Sequence, residues 1–353
     1  MANSVIIATG SYIPPSVIPN THFLDNAFYA DDGRRLERSN TEIIKKLQEI
    51  TEIKERRYVT DDLNTSDIAY MAAEEALEGI DRESLDAIIV GQNLGDVKAG
   101  NIRTDMVPSI ASRVKHKLRI KNPYTVAFDI PFGCPGWLQA TIVADYYIKS
   151  GDAKRIMVIG AEILSRVSDP HDVDGMIYAD GAGATLLEAT DRDVGILAHL
   201  ARSDTYDHVN LLTLGESYNP HRNGNDLFIK MDGHEIYKYA VRTVPQVVKK
   251  NLEKAGVELH DVQKVLIHQA NGKMDAAILK RLFKLYGAQE IPADIMPMTI
   301  SWCGNSSVAT LPTLFDLMQK GKLENHRLHS GDIALFASVG AGMNINSMVY
   351  RMP

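Results

Sequence analysis

Cysteine and tryptophan are scarce in this chain, which has two of each among 353 residues. Two cysteines, Cys134 and Cys303, do not make a disulfide framework, and such scarcity is typical of a reducing compartment. Apolar runs long enough to cross a bilayer are missing, and the first residues lack the basic segment of a signal peptide. We therefore expect a soluble, cytoplasmic protein with no membrane partner.

An excess of positive charge is also missing. The net charge is −7, so nucleic acid is not an expected partner. The apolar share of 45% is ordinary for a globular protein, and the length is ample for a large core. This length favours two domains or one large duplicated domain.

The two halves of the chain repeat a pattern. Residues 84–93 resemble residues 261–270, and Gly151-Asp152 before a predicted strand resembles Gly331-Asp332, both at an offset of about 180 residues. Strands and helices alternate in each half, which predicts an α/β fold with mixed, mostly parallel sheets. We expect similar halves at 1–190 and 191–353, with a site at strand ends where they meet.

Cys134 lies in the turn Gly133-Cys-Pro-Gly136, between a β-rich apolar run and a stretch with apolar residues at helical spacing. The thiol is thus expected at or near a helix N-terminus, where unpaired N–H groups and the helix dipole favour a thiolate. A thiolate is the nucleophile that thiol enzymes use. A small buried thiol in a tight turn is the alternative interpretation.

Two other polar residues follow predicted strand or loop ends. His268 ends a predicted strand, and Asn305 lies in a turn before a predicted helix. Alone, His268 is more often a structural residue and Asn305 a helix cap. Together with Cys134 they are the groups that covalent thioester chemistry uses. The Gly340-Ala-Gly342 turn can add a backbone N–H as an oxyanion donor.

No residue pattern calls for a metal or another cofactor. His171, Asp172 and Asp174 are residue types that bind metals, but a polar loop is the favoured interpretation of this stretch.

These motifs resemble a known family. Cys134 in Gly-Cys-Pro-Gly, His268-Gln-Ala-Asn271, Gly304-Asn-Ser-Ser307, Asp180-Gly-Ala-Gly-Ala184 and the late Gly-Ala-Gly resemble β-ketoacyl-acyl-carrier-protein synthase III. That family belongs to the thiolase superfamily, and the resemblance spans nearly the whole chain. It implies a duplicated thiolase-like fold in α-β-α-β-α layers and a homodimer. It also implies a decarboxylative Claisen condensation in fatty-acid initiation or a related pathway.

The resemblance implies a role for each motif residue. Cys134 takes an acyl group from an acyl-CoA or acyl-carrier-protein donor. His268 and Asn305 then hold the thioester carbonyl of malonyl-acyl-carrier protein while CO₂ leaves and an enolate forms. The backbone N–H groups of Cys134 and Ala341 stabilise the oxyanion formed when the enolate attacks. Lys273 matches an arginine that docks the acidic carrier protein in this family.

Three positions depart from the family pattern. Lys46 and Val173 stand where the family has a Trp and an Arg that clamp the adenine of CoA, and they cannot sandwich a purine. Val107 stands where the family often has a Phe from the partner subunit that bounds the acyl pocket. A smaller side chain leaves more room, so the hypothesis is a longer, branched or otherwise bulky acyl group.

Several alternatives remain open. Thiolases use a second cysteine, but Cys303 is interpreted as a small filler because the synthase pattern does not need it. A same-fold acyltransferase without decarboxylation and a polyketide or secondary-metabolite condensing enzyme are the other enzymatic interpretations. A non-catalytic subunit is the non-enzymatic one, and the intact Cys, His and Asn argue against it.

Overall fold

Apolar runs that the sequence marks as buried strands form the framework of the molecule. A computed structural model describes residues 2–222, 224–288 and 290–353. Its strands are β1 (Asn3–Tyr12), β2 (Ser16–Pro19), β3 (Glu55–Tyr58), β4 (Ala87–Gln92), β5 (Asp96–Lys98), β6 (Asn101–Asp105), β7 (Val126–Pro131), β8 (Arg155–Ile163), β9 (Asp180–Thr190), β10 (Gly195–Ser203), β11 (Leu212–Gly215), β12 (Phe228–Met231), β13 (Val262–Ile267), β14 (Ile333–Gly340) and β15 (Asn344–Arg351). Its α-helices are α1 (Asn40–Thr51), α2 (Thr65–Ala76), α3 (Ile110–Lys117), α4 (Gly136–Ser150), α5 (Thr205–His208), α6 (Gly233–Ala255), α7 (Gly272–Leu285), α8 (Ile300–Cys303) and α9 (Thr310–Gln319).

Two larger sheets have the strand orders β1-β9-β8-β4-β7 and β10-β15-β14-β13. Strand β4 runs parallel to β7 and β8, and β13 runs parallel to β14, whereas the other four neighbouring pairs are antiparallel. The sheets are mixed as predicted, but their parallel share is smaller than expected. A three-residue connection joins β14 to β15. A connection this short can join only antiparallel strands, because parallel neighbours need a longer crossover.

The repeated sequence pattern corresponds to a repeated topology. Strands β4 and β13 each lie parallel to a later strand, β8 and β14 respectively, and each of those later strands pairs antiparallel with the strand that follows it. All strands of the first large sheet precede residue 191, and those of the second follow it. The assignment of these halves as separate domains stays a prediction.

Helices cover both faces of each sheet. One apolar cluster joins α4 and α9 to the inner faces of both sheets. A second joins α2 and α3 to the outer face of the first sheet, and a third joins α6 and α7 to that of the second. This is the predicted α-β-α-β-α layering. None of the helices in the described ranges combines the length and apolar character needed to span a bilayer.

Three segments differ from the sequence prediction. The apolar stripe within the polar stretch 20–57 predicts a mostly helical segment, but α1 is the only α-helix described in that range. The sequence of residues 94–108 predicts a loop, yet they contain the antiparallel pair β5–β6. Strand β6 is largely exposed and polar, so it lacks the apolar alternation that identifies a strand. The abundance of Asn, Asp, Gly, His and Tyr in residues 202–230 predicts a long surface excursion, and this segment contains most of the β11–β12 hairpin.

One close backbone approach connects this fold to the segment after Asn305. Gly160 on β8 lies under residues 307–309, and a Cβ atom at position 160 would lie 2.4 Å from the Val308 carbonyl oxygen. Real Cβ atoms do not approach an oxygen this closely, so any side chain at this position must displace the segment.

We expect Gly160→Ala to lower the free energy of unfolding by about 1–3 kcal/mol, because the added methyl group overpacks the interior. Urea unfolding followed by circular dichroism measures the change. Gly181→Ala is the matched control, since a Cβ atom there meets Ser306 Cβ at an ordinary 3.5 Å. Equal stability of the two variants would contradict the prediction.

Candidate active site

The turn that carries Cys134 contacts a turn from the second half of the chain. Cys134 lies between the end of β7 and the start of α4, as predicted. A Cβ atom on Gly340 would lie 2.6 Å from Cys134 N, and one on Gly133 would lie 2.7 Å from Ala341 N. Because glycine has no Cβ atom, the backbones of Cys134 and Ala341 can approach each other closely.

His268 follows directly after β13, and its backbone N donates to the Ala337 carbonyl at 2.9 Å. The next side chain, Gln269, binds the segment before Asn305. Its Nε2 donates to the Pro297 carbonyl at 2.9 Å, and its Oε1 accepts from Ile300 N at 2.9 Å. A buried amide with these bonds fixes the loop of His268 against the loop that leads to Asn305.

Asn305 connects the second half to the start of β9. Its backbone N donates to the Ile177 carbonyl at 2.9 Å, and its carbonyl accepts from Ala179 N at 2.8 Å. Its side-chain Oδ1 accepts from Ser307 N at 2.9 Å. Because the oxygen has this donor, the Nδ2 group is the end of the amide that can donate to a ligand.

Cys134, His268, Asn305 and Ala341 line one cavity of about 1490 Å³. Its walls are largely apolar and include Ile43, Leu47, Ile50, Leu94, Leu164, Ile177, Leu212, Leu214, Ile229, Met231, Ile236 and Met274. Four exposed cationic side chains, Arg34, Arg35, Arg38 and Lys46, also border it, together with one exposed carboxylate, Glu37. The cavity therefore has an apolar interior and a cationic rim.

Burial keeps the two titratable groups of this site uncharged. Desolvation raises the pKa of the Cys134 thiol to about 11, although the hydrogen bond from Ser307 opposes this rise. Desolvation alone lowers the pKa of His268 to about 4. Within the described residues neither ring nitrogen of His268 has a hydrogen-bond partner. A neutral imidazole of this kind can donate one hydrogen bond to a ligand.

The expected thiolate is thus wrong for the free protein. Cys134 lies two residues before α4, so the helix end is near, as the sequence suggests. Desolvation is nevertheless the largest influence on its pKa, because a buried anion loses its hydration. The thiol is protonated at neutral pH and must lose its proton during the reaction.

A buried hydrogen-bond chain reaches the sulfur of Cys134. Ser307 Oγ donates to Cys134 Sγ at 3.4 Å and accepts from Asn93 Nδ2 at 3.3 Å. Asn93 Nδ2 also donates to Glu162 Oε2 at 2.6 Å. Burial raises the pKa of Glu162 to about 8, so this carboxyl is largely neutral at pH 7. Since Ser307 Oγ already accepts from Asn93, its single hydrogen points to the sulfur.

The sequence interpretation missed Ser307, Asn93 and Glu162 as parts of the site. Ser307 belongs to a motif already noted, but its contact with the thiol depends on a backbone φ of +52°. Asn93 and Glu162 follow or end buried strands, and this pattern alone does not distinguish them from surface polar residues.

The remaining predicted positions lie at different distances from the cavity. Lys46 and Val173 line it. Lys273 is exposed at the start of α7, beside the lining residue Met274. Val107 is 85% exposed and is absent from the described lining of this chain's cavity. The family resemblance implies that this side chain bounds the acyl pocket of a partner subunit. Its position in a single chain does not test that prediction.

Cys303, His171 and Asp172 have other surroundings. Cys303 ends α8 and is absent from the described cavity lining, and burial raises its pKa to about 12. His171 Nδ1 is 2.8 Å from the Ala27 carbonyl, and Asp172 is 3.0 Å from Lys230 Nζ. These side chains are engaged within the protein.

The chain is similar to known proteins over nearly its whole length. Residues 128–205 match the family model described as 3-oxoacyl-[acyl-carrier-protein (ACP)] synthase III, and residues 252–352 match its C-terminal model. The β-ketoacyl-[acyl-carrier-protein] synthase III of Xanthomonas campestris is 32% identical over 354 residues, covering 99% of this chain and 98% of that protein. The corresponding protein of Ehrlichia canis is 33% identical over 357 residues, covering both chains completely.

A solved structure gives the same result. The crystal structure of 3-oxoacyl-[acyl-carrier-protein] synthase III from Aquifex aeolicus has a TM-score of 0.79 and 29% identity, and 99% of each chain is covered. The fold is therefore that of the thiolase-like condensing enzymes, as predicted. Within that class, the chain belongs to the 3-oxoacyl-acyl-carrier-protein synthase III family and is an acyl-transferring condensing enzyme of this type.

Alkylation of Cys134 by iodoacetamide should rise about tenfold per pH unit between about pH 7 and 9, because the thiolate fraction grows in this way below the pKa. Peptide mass spectrometry after timed quenching measures the rate at Cys134 separately from that at Cys303. A rate that levels off below about pH 8 would contradict the raised pKa.

Ser307→Ala should move this alkylation profile to higher pH, because it removes the hydrogen bond that stabilises the thiolate. Ser306→Ala is the control, since Ser306 Oγ lies 3.3 Å from Thr310 Oγ1. An unchanged profile in Ser307→Ala would show that the hydroxyl does not assist ionisation.

Proposed function

We propose that Cys134, His268 and Asn305 carry out the condensation in two stages. In the first, Cys134 Sγ attacks the carbonyl carbon of an acyl thioester. The new S–C bond replaces the donor's C–S bond, and the thiol proton ends on the released donor thiol. Neutral His268 is the group in the cavity that can carry this proton, since its ring has an acceptor nitrogen.

The second stage uses malonyl-acyl-carrier protein. The bond to the malonyl carboxylate breaks, CO₂ leaves, and the electron pair forms an enolate whose oxygen accepts from His268 and Asn305 Nδ2. The enolate carbon attacks the acyl-Cys134 carbonyl, and the oxyanion accepts from the N–H groups of Cys134 and Ala341. Expulsion of the Cys134 thiolate, which takes up a proton, releases the β-ketoacyl product.

The observation that carries this proposal is that one cavity is lined by residues from both halves, Cys134 from the first and His268 and Asn305 from the second. Burial supports the mechanism because donors in a dry site stabilise a developing anion more strongly than in water. A same-fold acyltransferase needs the thiol and the imidazole but has no use for Asn305 as an enolate donor.

We propose further that the acyl group is long or bulky. The apolar cavity supports this, because its 1490 Å³ exceed the 300–1,000 Å³ usual for a small-ligand pocket. Lys46 and Val173 line the cavity without an aromatic and guanidinium pair, and this composition disfavours a tightly held CoA adenine. The cationic rim suits the phosphate groups of a carrier-bound or CoA-bound thioester.

Acylation of Cys134 should be faster with octanoyl-CoA than with acetyl-CoA by at least about tenfold, since each buried methylene contributes favourable free energy. Intact-mass spectrometry over time measures the adduct. Cys134→Ser should form no adduct, whereas Cys303→Ser should behave as wild type, which tests the thiolase-like alternative. A clear preference for acetyl-CoA would exclude the long-chain proposal.

Carrier-protein docking is proposed at Lys273. Lys273 is exposed at the start of α7, and Asn271 and Met274, which lie on either side of it in the chain, both line the cavity. Lys280 and Lys284 are exposed on the same helix while Ile278 and Leu282 are buried, so the helix presents a basic outer face. An acidic carrier protein approaching such a face is steered electrostatically.

Lys273→Glu should raise the Michaelis constant for malonyl-acyl-carrier protein about five- to tenfold at low salt, with kcat little changed. The effect should shrink at about 0.5 M NaCl, where surface charges are screened. Lys284→Glu makes the same charge change on the same face about three helical turns further from the cavity-lining end of α7, so it is the control for position and should have a smaller effect. Equal effects of both variants would argue against a docking role at position 273.

We also propose a homodimer acting in the cytoplasm. Strand β7 is the outermost strand of its sheet, and Tyr124 and Val126 beside it are more than half exposed. An apolar sheet edge of this kind favours pairing with a second copy. Pairing there is one way for Val107 to reach the partner's pocket. Sedimentation equilibrium measures whether the mass in solution is twice that of one chain.

A further inference from the structure

A cluster of buried charges lies against the wall of the cavity. Lys230 Nζ is 2.6 Å from Asp169 Oδ2 and 3.0 Å from Asp172 Oδ2. Asp174 is the next acidic residue along the chain, and it lines the cavity. Since Lys230 already pairs with two carboxylates, the carboxyl of Asp174 adds a charge that this lysine does not neutralise.

The carboxyl of Asp174 lies at the cavity surface. A Cβ atom on Gly233, which also lines the cavity, would lie 3.7 Å from Asp174 Oδ2. Burial and the neighbouring charge of Asp172 raise the pKa of Asp174 to about 7. This carboxyl therefore exchanges between its neutral and charged forms near neutral pH, and it is suited to accept a hydrogen bond within an apolar wall.

Tyr178 supplies a donor beside this acceptor. It is buried, it lines the cavity, and its hydroxyl has no hydrogen-bond partner among the described residues. Asp174 lies in the short helical turn at 173–177 and Tyr178 follows that turn directly. Tyr178 also forms a β-bridge with Asn305, so the two residues share the part of the cavity wall beside Asn305. The ring nitrogens of His268 likewise have no hydrogen-bond partner among the described residues. A buried hydroxyl without a partner is costly unless a ligand completes its bonding.

We propose that Asp174 and Tyr178 form a polar subsite that recognises a hydroxyl group on the acyl chain, a few carbons from the thioester carbonyl. A hydroxyl accepts a hydrogen bond from Tyr178 Oη and donates one to Asp174, so it uses both groups. An ammonium group has no lone pair to accept the Tyr178 hydrogen, and it would have to pass the cationic rim. The substrate class is a hydroxyacyl thioester, and the assignment rests on the proposed acylation of Cys134.

The test compares Cys134 acylation by the CoA thioesters of decanoate, 3-hydroxydecanoate and 3-oxodecanoate, each followed by intact-mass spectrometry. Wild-type protein should react about tenfold faster with the hydroxyacyl than with the decanoyl thioester, the size of effect expected for a hydrogen bond to a buried polar group. The 3-oxo compound can only accept, so it should react at an intermediate rate.

Variants separate the two partners. Tyr178→Phe should remove the advantage of the 3-oxo over the decanoyl thioester and lower that of the hydroxyacyl thioester, which keeps its bond to Asp174. Asp174→Ala should lower the hydroxyacyl rate without changing the ratio of the 3-oxo to the decanoyl rate. Tyr206→Phe is the control, because Tyr206 is 97% exposed and is absent from the described lining of the cavity; it should keep the wild-type ratios. Tyr178→Phe should also raise the Tm, since it removes an unbonded buried oxygen.

The outcomes distinguish the two proposals. Acylation of the wild type by all three thioesters at equal rates would overturn the hydroxyl subsite while leaving the condensing mechanism intact. A preserved advantage of the 3-oxo over the decanoyl thioester in Tyr178→Phe, with a raised Tm showing an intact fold, would overturn the role of Tyr178. Failure of every thioester to acylate Cys134 would overturn the proposed acylation and the subsite together.

Discussion

The geometry of the site depends on one backbone contact between the halves of the chain. Gly133 and Gly340 lack the Cβ atoms that would lie within 3 Å of the opposite turn, so the turn after β7 and the turn after β14 can touch. The glycine at 133 also adopts a positive φ of 66°, which costs other residues strain. This contact sets the Cys134 and Ala341 backbones side by side and leaves the cavity between the halves.

Burial gives the site its electrostatic character. The thiol of Cys134 and the imidazole of His268 are both held neutral because desolvation penalises a charge on either of them. Neutral donors suit a reaction in which negative charge appears only on enolate and tetrahedral oxygens. The chain from Glu162 through Asn93 to Ser307 orients one hydrogen toward the sulfur. Stabilisation of the thiolate is thus local and does not come from the helix dipole alone.

The same cavity combines an apolar wall with polar groups that the condensation does not use. Asp174 follows a cluster in which Asp169 and Asp172 pair with Lys230, and Asp174 and Tyr178 line the same cavity. Polar atoms in an apolar pocket select ligands by requiring a matching group, since an unmatched donor or acceptor remains unbonded. In the proposed function, the apolar wall would therefore select for chain length and the polar pair for a hydroxyl group.

Periodicity, turn residues and internal similarity were sufficient to predict the α/β class, the repeated halves and the three motif residues at strand or loop ends. These features are local, and they repeat at fixed spacing along the chain. The sequence missed the β5–β6 hairpin because β6 is polar and exposed. It predicted a thiolate at Cys134 because the helix end is visible in the sequence, whereas the depth of burial is not.

The sequence by itself determined which residues follow each strand, and hence that a thiol, an imidazole and a carboxamide reach the sheet edges. Only the tertiary structure decided that they share one cavity, that Ser307 contacts the sulfur and that Tyr178 stays unbonded next to Asp174. Contacts between residues far apart in the chain depend on how both sheets pack around α4 and α9, and desolvation depends on every neighbour at once.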